Sequence, residues 1–492
     1  MKKIIAVVLA LFCLHSNLFA ATYQLDLEKS IEIAKAKNLD MLSLKQDLKI
    51  AEYNLNYAIS KFKTHIDLSL VTPEYTETIR RFEESSTITL RPVKKLNYSS
   101  DLIINQPLPT DGSIYINSGL NNTDDFYFDK RTLEMNTSLN LTQPVNALYF
   151  NKIKVGFKRA ELAYEESRKR LKRNELNLVY NVTNEFFQLI SVQKSEEIAR
   201  LNLERQKEAY TTAKNKYDAG LIKEVDALQM EVDLAEAQNN YDLAMLNQSS
   251  SKNSFKEMIG LELTDSVVLS NKLEYQVVVV DPKKAVEYAL KNRLEIRENE
   301  IQIEREKLDI KSQKAEGMIK GSLTAYLSRY GSSEPTLPAS VSTSVNNAYQ
   351  DFINRKSNYG VGFKVTVPIL DWGENRALVN AAKARLQQSM YSQDNTKRTI
   401  EREVLNLVDE LNNSLKRLQL LEKNVLVAEK SFEITRQRFS DGNIDSQALA
   451  LERERLNNAY NSHLRAYITY QLMLADVMRK TYYDFQRNLT IN

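Results

Sequence analysis

Residues 374–441 read ENRALVNAAKARLQQSMYSQDNTKRTIEREVLNLVDELNNSLKRLQLLEKNVLVAEKSFEITRQRFSD, without one glycine or proline. Val404, Leu411, Leu418, Val425, Phe432 and Phe439 recur every seven residues, and Leu407, Leu421 and Ala428 fill a second row three residues on. An apolar seam of heptad period supercoils a helix left-handedly. At 1.5 Å per residue the helix extends on the order of 100 Å, several times a small domain and roughly three times the hydrocarbon thickness of a bilayer. A globular core has no use for that length. The Lys, Arg, Glu, Gln and Asn residues opposite the seam keep the helix out of lipid. The stretch therefore predicts an elongated, water-bathed coiled-coil body.

Working outward, a second long helix is expected from about Leu148 to Ala219, with Val182, Leu189, Leu203, Tyr210 and Tyr217 in a seven-residue row broken at Glu196. Ala219-Gly220-Leu221 closes it, because glycine tolerates the left-handed conformation that ends a helix. A shorter helix runs to Ile259. Asp441-Gly442-Asn443 makes the matching reversal after the first stretch, and a last helix runs from Ser446 to the end. Leu25 to about Lys61 reads as one helix, and Asp281-Pro282 starts another that continues to about Glu316.

Between these helices the period falls to two. Ile66 to Leu70, Asp101 to Asn105, Ser113 to Ser118, Leu133 to Thr142, Leu323 to Tyr330 and Tyr359 to Ile369 read as strands. Pro107 to Gly112 reads as a hairpin turn, and Gln143-Pro144 and Pro368 end strands. The segment between the last two runs, rich in Ser and Asn, reads as a loop. Phe126, Tyr127 and Phe128 fall on another, where aromatics suit a membrane interface. Taken alone, the strands fit either a soluble sheet or a barrel wall. Trp372 reads as an anchor at the sheet boundary or as a core residue.

Met1-Lys2-Lys3, an apolar run from Ile4 to Leu14 and Leu18-Phe19-Ala20 have the layout of a secretory signal peptide over 1–20. The single cysteine, Cys13, lies inside it after Phe12, a poor lipoprotein site, so neither lipid nor disulfides are expected in the mature chain. No later window is apolar enough for a transmembrane helix, so a membrane could be entered only with strands. A net charge of +3 against 27% charged residues argues against a nucleic-acid binder. His65 and His463 have no Cys or His neighbour at metal spacing, and phosphate loops and nucleophile motifs are missing, so no enzyme, metal site or cofactor is expected.

The order of helix, strands, long helix, glycine turn and helix occurs twice. Ser30 to Ala34 matches Ala285 to Ala289 at an offset of 255, Thr142-Gln143-Pro144 matches Thr366-Val367-Pro368 at 224, and Gly220 matches Gly442 at 222. The falling offset places about thirty extra residues in the strand region of the first copy. The organisation read from this is a signal at 1–20, a first repeat at 21–260, a linker at 261–281, a second repeat at 282–485 and a tail at 486–492.

Two stretches carry a resemblance to a known family. VTVPILDWGENRALVNAAKARL from Val365 resembles the strand-to-helix passage of the TolC family of outer-membrane efflux channels, and KYDAGLIKEVDALQ, Lys216 to Gln229, resembles its periplasmic helix-turn tip. The likeness covers nearly the whole mature chain. It implies a mostly α fold with a β-barrel portion: a homotrimer with four strands from each protomer in one outer-membrane barrel, and a coiled-coil tunnel of helices in the periplasm. It also implies a passive duct recruited by a periplasmic adaptor and an inner-membrane transporter of RND, ABC or MFS type. Outer-membrane lipid is the other expected partner.

On the same resemblance Ala219, Gly220, Leu221, Asp441, Gly442 and Asn443 are expected to dock the adaptor, although any helical hairpin wants glycine at its turn. The second tip departs from the family's usual Leu-Gly-Thr. Asp226 matches a position that latches the entrance, but its expected counterparts are Phe439 and Ile444, where the best-known form has Tyr and Arg. Ala448 and Leu451 replace acids of a constricting ring. Asp218, Glu224, Asp226, Asp441 and Asp445 still gather carboxylates at the tips, as a cation-favouring ring or as solvated turn charges. The gate is therefore expected to rest on packing around Phe439 and on acid pairs with Lys223 or Arg438. The competing readings are a coiled-coil structural or adhesive envelope protein without a channel, and a periplasmic adaptor, which a doubled hairpin fits poorly.

Overall fold

The computed structural model describes residues 22–84, 87–270, 275–441, 443–444 and 446–491. The expected signal segment, Gly442 and Asp445 lie outside them. A short strand β1 (Thr22–Leu25) leads into helices α1 (Leu27–Lys37) and α2 (Leu39–Ser60). Strands β2 (His65–Glu84), β3 (Thr87–Pro107), β4 (Ser113–Asp125) and β5 (Lys130–Pro144) follow, then the long helix α3 (Lys152–Asp218) and its return partner α4 (Glu224–Ile259). The second copy runs β6 (Ser266–Leu269), α5 (Pro282–Asn292), α6 (Leu294–Glu316), β7 (Lys320–Ser333), α7 (Val341–Asn354), β8 (Asn358–Thr366), α8 (Glu374–Ser440) and α9 (Ser446–Thr481). It closes with a hairpin of β9 (Tyr483–Asp484) and β10 (Leu489–Thr490). The chain divides into two compact units that each draw on both repeats: residues up to Leu48 with Arg168–Glu298 and Ser392–Asn492, and Lys49–Ser167 with Asn299–Tyr391.

The first unit is held by the predicted seam. Val404, Leu411 and Leu418 of α8 are fully buried, against Val182 and Leu189 of α3 and Tyr470, Leu474 and Val477 of α9 in one cluster. Tyr470 also ties down the linker: its hydroxyl donates to the Gln276 carbonyl at 2.7 Å and accepts from the Val278 amide at 3.0 Å. β1 and β6 pair in parallel beside this core, β6 falling inside the segment read as a linker.

Two helices expected to be continuous are each broken once, at equivalent places. The chain turns extended at Asn38 (φ −60°, ψ 128°) and at Arg293 (φ −64°, ψ 127°), positions separated by the repeat offset of 255. Each break caps the helix before it: the Asn38 amide donates to Ala34 O and the Arg293 amide to Ala289 O, both at 2.9 Å. Asn38 then caps α2, accepting from the Met41 amide at 3.0 Å, while its Nδ2 donates to Met258 O at 2.9 Å. Gly260 (φ +75°) ends α4 against this turn, and a Cβ there would lie 2.7 Å from the Lys37 carbonyl carbon. At the other break Arg293 donates to Glu295 at 2.7 Å and to Glu403 of α8 at 3.1 Å, and Lys480 of α9 reaches the same Glu403 at 2.9 Å. Burial pushes the Glu403 carboxyl up, but Lys480 and Arg293 outweigh it and hold it below its ordinary value of 4.5.

The second unit contains one antiparallel sheet in the order β2-β3-β4-β5-β7-β8. Six strands replace the four that the family resemblance implied, and the first copy's extra hairpin is part of the sheet. Cross-strand partners share a face, so the registers sort every side chain. Ile66, Leu68 and Leu70 of β2 lie on the face of Leu102 and Ile104, which continues through Ile114 and Ile116, Leu139 and Leu141, and Leu323 and Leu327 to Val361 and Phe363 of β8. The opposite face is mainly polar, with His65, Asp67 and Ser69, then Asn105, Asn117, Asn140, Thr324 and Lys364, and Ile103, Tyr115 and Tyr326 among them. The belt is exposed, with Ile66 at 64%, Leu68 at 62% and Phe363 at 64%.

Past this belt the β2–β3 hairpin outruns its neighbours. β3 pairs with β4 only as far as Lys95, while β2 and β3 stay paired to Glu84 and Thr87. The hairpin meets the β4–β5 turn, where Phe82 stacks on Tyr127 at 5.0 Å and Arg91 donates to the Tyr127 hydroxyl at 2.7 Å. The segment read as a loop between β7 and β8 contains α7. Ser340 caps it through the Thr343 amide, and Ser344 and Ala348, four residues apart, are fully buried. α9 stops at Thr481 instead of running to the end, because Tyr482 takes a left-handed turn (φ 56°) into the β9–β10 hairpin. Trp372 is 90% exposed, which rules out a core role within one chain.

Two measurements check this packing. Leu411→Ala should lower stability by about 2–5 kcal/mol, read from denaturant unfolding in detergent, and a loss under about 1 kcal/mol would contradict the seam. A carboxylate held low stabilises the fold above its unfolded value, and that stabilisation is lost as pH falls through the folded value. Glu403→Gln should therefore weaken the protein at neutral pH and flatten its loss of stability below pH 4.5, the unfolded value.

Candidate functional site

The helix-turn tips of the first unit gather the residues singled out by the sequence. At the first tip the Leu221 amide bonds back to Lys216 O at 2.8 Å and the Gly220 amide to Tyr217 O at 2.8 Å, closing the end of α3. Gly220 has φ +70°, with open space where a Cβ would project, so conformation rather than crowding requires glycine. At the second tip the Asn443 amide makes the same five-residue return to Arg438 O at 2.9 Å. The two returns thus span the same number of residues, at the repeat offset of 222. Ala219, Leu221, Asp441 and Asn443 are all exposed, and Leu221 is an exposed apolar side chain at 73%.

The tips stand on a small separate core. Phe432 and Phe439 of α8 pack with Leu449 and Leu456 of α9, and Ala428, Ile444 and Tyr460 surround them. Phe439 is only 7% exposed. Ile444, at a position where the family's best-known form has Arg, thus adds to an apolar contact. Pro144 and Pro368 stand apart from this cluster, in the other unit, at or just after strand ends.

The sequence reading missed two cations here. Lys216 of α3 donates to Phe439 O at 2.9 Å and Ser440 O at 3.5 Å, and its ammonium lies 4.8 Å from the centre of the Phe439 ring. A cation on the free carbonyls of a helix C-terminus is favourable both as a cap and against the helix dipole, and over an aromatic face it gains again. Arg453 of α9 donates to Gln206 of α3 and lies 3.1 Å from Asp233 of α4, with both charged side chains largely buried. Lys216 and Arg453 between them tie the second hairpin to both helices of the first.

The expected acids are arranged differently. Glu224 and Asp226 occupy the first turn of α4, where carboxylates suit a helix N-terminus; Asp226 is half-buried, and Asp218, Glu224 and Asp441 are exposed. Lys223 and Arg438, named as their partners, are exposed and form no side-chain ion pair among the described residues. Ala448 is half-buried and Leu451 exposed, so no carboxylate stands at either place. Among the described residues no cluster of His, Cys, Asp and Glu could hold a metal ion, and no helix is long and apolar enough to cross a membrane.

Solved structures similar to this fold include outer-membrane channels. The CmeC channel of Campylobacter jejuni matches with a TM-score of 0.67 at 16% identity, over 92% of this chain and 85% of that one. CusC matches at 0.66 and 13% over 96% and 95%, and the open state of Neisseria gonorrhoeae MtrE at 0.64 and 15% over 94% and 90%. The architecture is thus that of the TolC-like channels, with two structural repeats. By sequence, residues 108–261 and 285–477 match the family described as outer membrane efflux protein, and the chain belongs to that family. It is an outer-membrane protein that extends into the periplasm. No curated protein matches its sequence.

Lys216→Met keeps the apolar stem but removes the cap. Losing about 1 kcal/mol of local stability should speed amide hydrogen exchange in the last turn of α8 about fivefold. Unchanged exchange there would show that the lysine does not hold the tip.

Proposed function

We propose that three copies of this chain form a passive exit duct, recruited by a periplasmic adaptor and fed by an energised inner-membrane transporter. The observation that carries this reading is the two-faced sheet, with an apolar belt across all six strands on one side and on the other a mainly polar face, interrupted by Ile103, Tyr115 and Tyr326. A sheet of that kind divides lipid from water. A soluble domain of an adhesive or structural protein would have to cover the belt, yet Ile66, Leu68, Val361 and Phe363 lie bare in the single chain.

The tips supply the entrance of the duct in this reading. Exposed Ala219, Leu221, Asp441 and Asn443 at two turns of equal span offer an adaptor a repeated surface. The Phe439 core, with Lys216 and Arg453 tying the hairpins, holds the mouth closed. Docking opens it by letting α8 and α9 swing away from α3 and α4, the coiled coil untwisting as it does. Asp218, Glu224 and Asp226 line the approach and favour cations.

In planar bilayers the wild-type protein should show a small closed-state conductance. Phe439→Ala and Lys216→Ala should each raise it several-fold, while Leu139→Ala in the belt should not. A protein that inserts no conducting pores would overturn the duct, whereas pores unmoved by either tip variant would overturn only this gate.

A further inference from the structure

The unpaired edges of the sheet extend this reading to the barrel's size. β2 and β8 each have one free side, so in one chain the sheet is open. Hydrocarbon offers no partner for a free strand edge, so a lipid-facing sheet must close on itself. Because six strands alternate in direction, the first and last run oppositely and two copies can join edge to edge without breaking the antiparallel order. We infer that β2 of one copy pairs with β8 of the next, making a barrel of three times six, or eighteen, strands.

Three features of the two edges support the pairing. Both carry the apolar belt, Ile66, Leu68 and Leu70 on one and Val361, Phe363 and Val365 on the other, so joining them continues the belt around the ring. Their lengths are close. The register of β2 is regular over the seven residues from His65 to Val71 and shifts before Glu74, across Pro73, which has no amide hydrogen to offer. β8 is nine residues long, so aligning Thr366 with His65 sets the regular edge against Thr366 to Gly360 and leaves Tyr359 and Asn358 beside the irregular stretch. That alignment sets Phe363 opposite Leu68 on the belt, and Lys364 opposite Asp67 on the polar face, an opposite-charge pair.

A twelve-stranded ring would need the β2–β3 hairpin outside the wall and β4 as the closing edge. β4, however, is paired with β3 along its whole length, from Lys95↔Asp125 to Pro107↔Ser113. Barrel diameter grows roughly linearly with strand number, so eighteen strands give a lumen about one and a half times as wide as twelve, in the range of water-filled porins.

The inference rests on the threefold duct, and disulfide mapping in the full-length protein tests it separately. Apart from Cys13 in the expected signal the chain has no cysteine. Asp67→Cys with Lys364→Cys, and its neighbours in register Asp67→Cys with Gly362→Cys and Ser69→Cys with Lys364→Cys, are oxidised in the outer membrane and run on denaturing, non-reducing gels. At least one pair should give a covalent trimer that reduction dissolves, and the single variants should not. Tyr115→Cys with Lys364→Cys reports closure through β4. A trimer linked by that pair, or a native trimer linked by none, overturns the eighteen-strand wall and leaves the duct standing. A protein that is monomeric before oxidation overturns both.

Discussion

A strand edge in hydrocarbon has no water to satisfy its amides and carbonyls, and this constraint governs the molecule. The sheet has an apolar face wide enough to meet lipid and two edges that pair with no strand among the described residues. Such a sheet is incomplete by itself. Its strand number, alternating direction and edge chemistry favour further copies of the same chain as the completion, and in the proposed ring the polar face would line the lumen.

The helical unit meets the opposite demand. With no lipid to face, it buries a heptad seam, and its stability comes from apolar side chains such as Leu411 and Val182. Polar residues enter that core where geometry has to be fixed: Asn38 and Arg293 at the paired helix breaks, Tyr470 on the linker, and Lys216 and Arg453 at the tips. Each satisfies backbone or charged groups that a helix end or a break leaves without partners. The same economy explains the tip. A small apolar cluster tied by two cations can be parted without disturbing the main core, with which it shares no buried residue.

Much of this was legible in the sequence because long periodic signals are hard to mistake. The α8 seam, the glycine turn at Gly220 and the repeated order of elements all correspond to observed elements. Period-two alternation marked all six strands, and it was the family resemblance, with four, that understated them. What escaped was local or distant. Nothing in a polar residue such as Asn38 announces that ψ will reach 128°, since its partner Met258 is 220 residues away. α7 read as a loop because its Ser and Asn content outweighed a buried stripe of only Ser344 and Ala348. Lys216 meets Phe439 across 223 residues, a contact with no sequence signature, whereas Lys223 and Arg438 lie next to the acids in sequence yet are exposed.

The central claim is that the sheet is completed by copies of the same chain. Native mass spectrometry of protein extracted from outer membranes in mild detergent tests it most directly. The account predicts one dominant species containing three chains. A dominant monomer, or a complex in which a different polypeptide takes the place of the other copies, would contradict it.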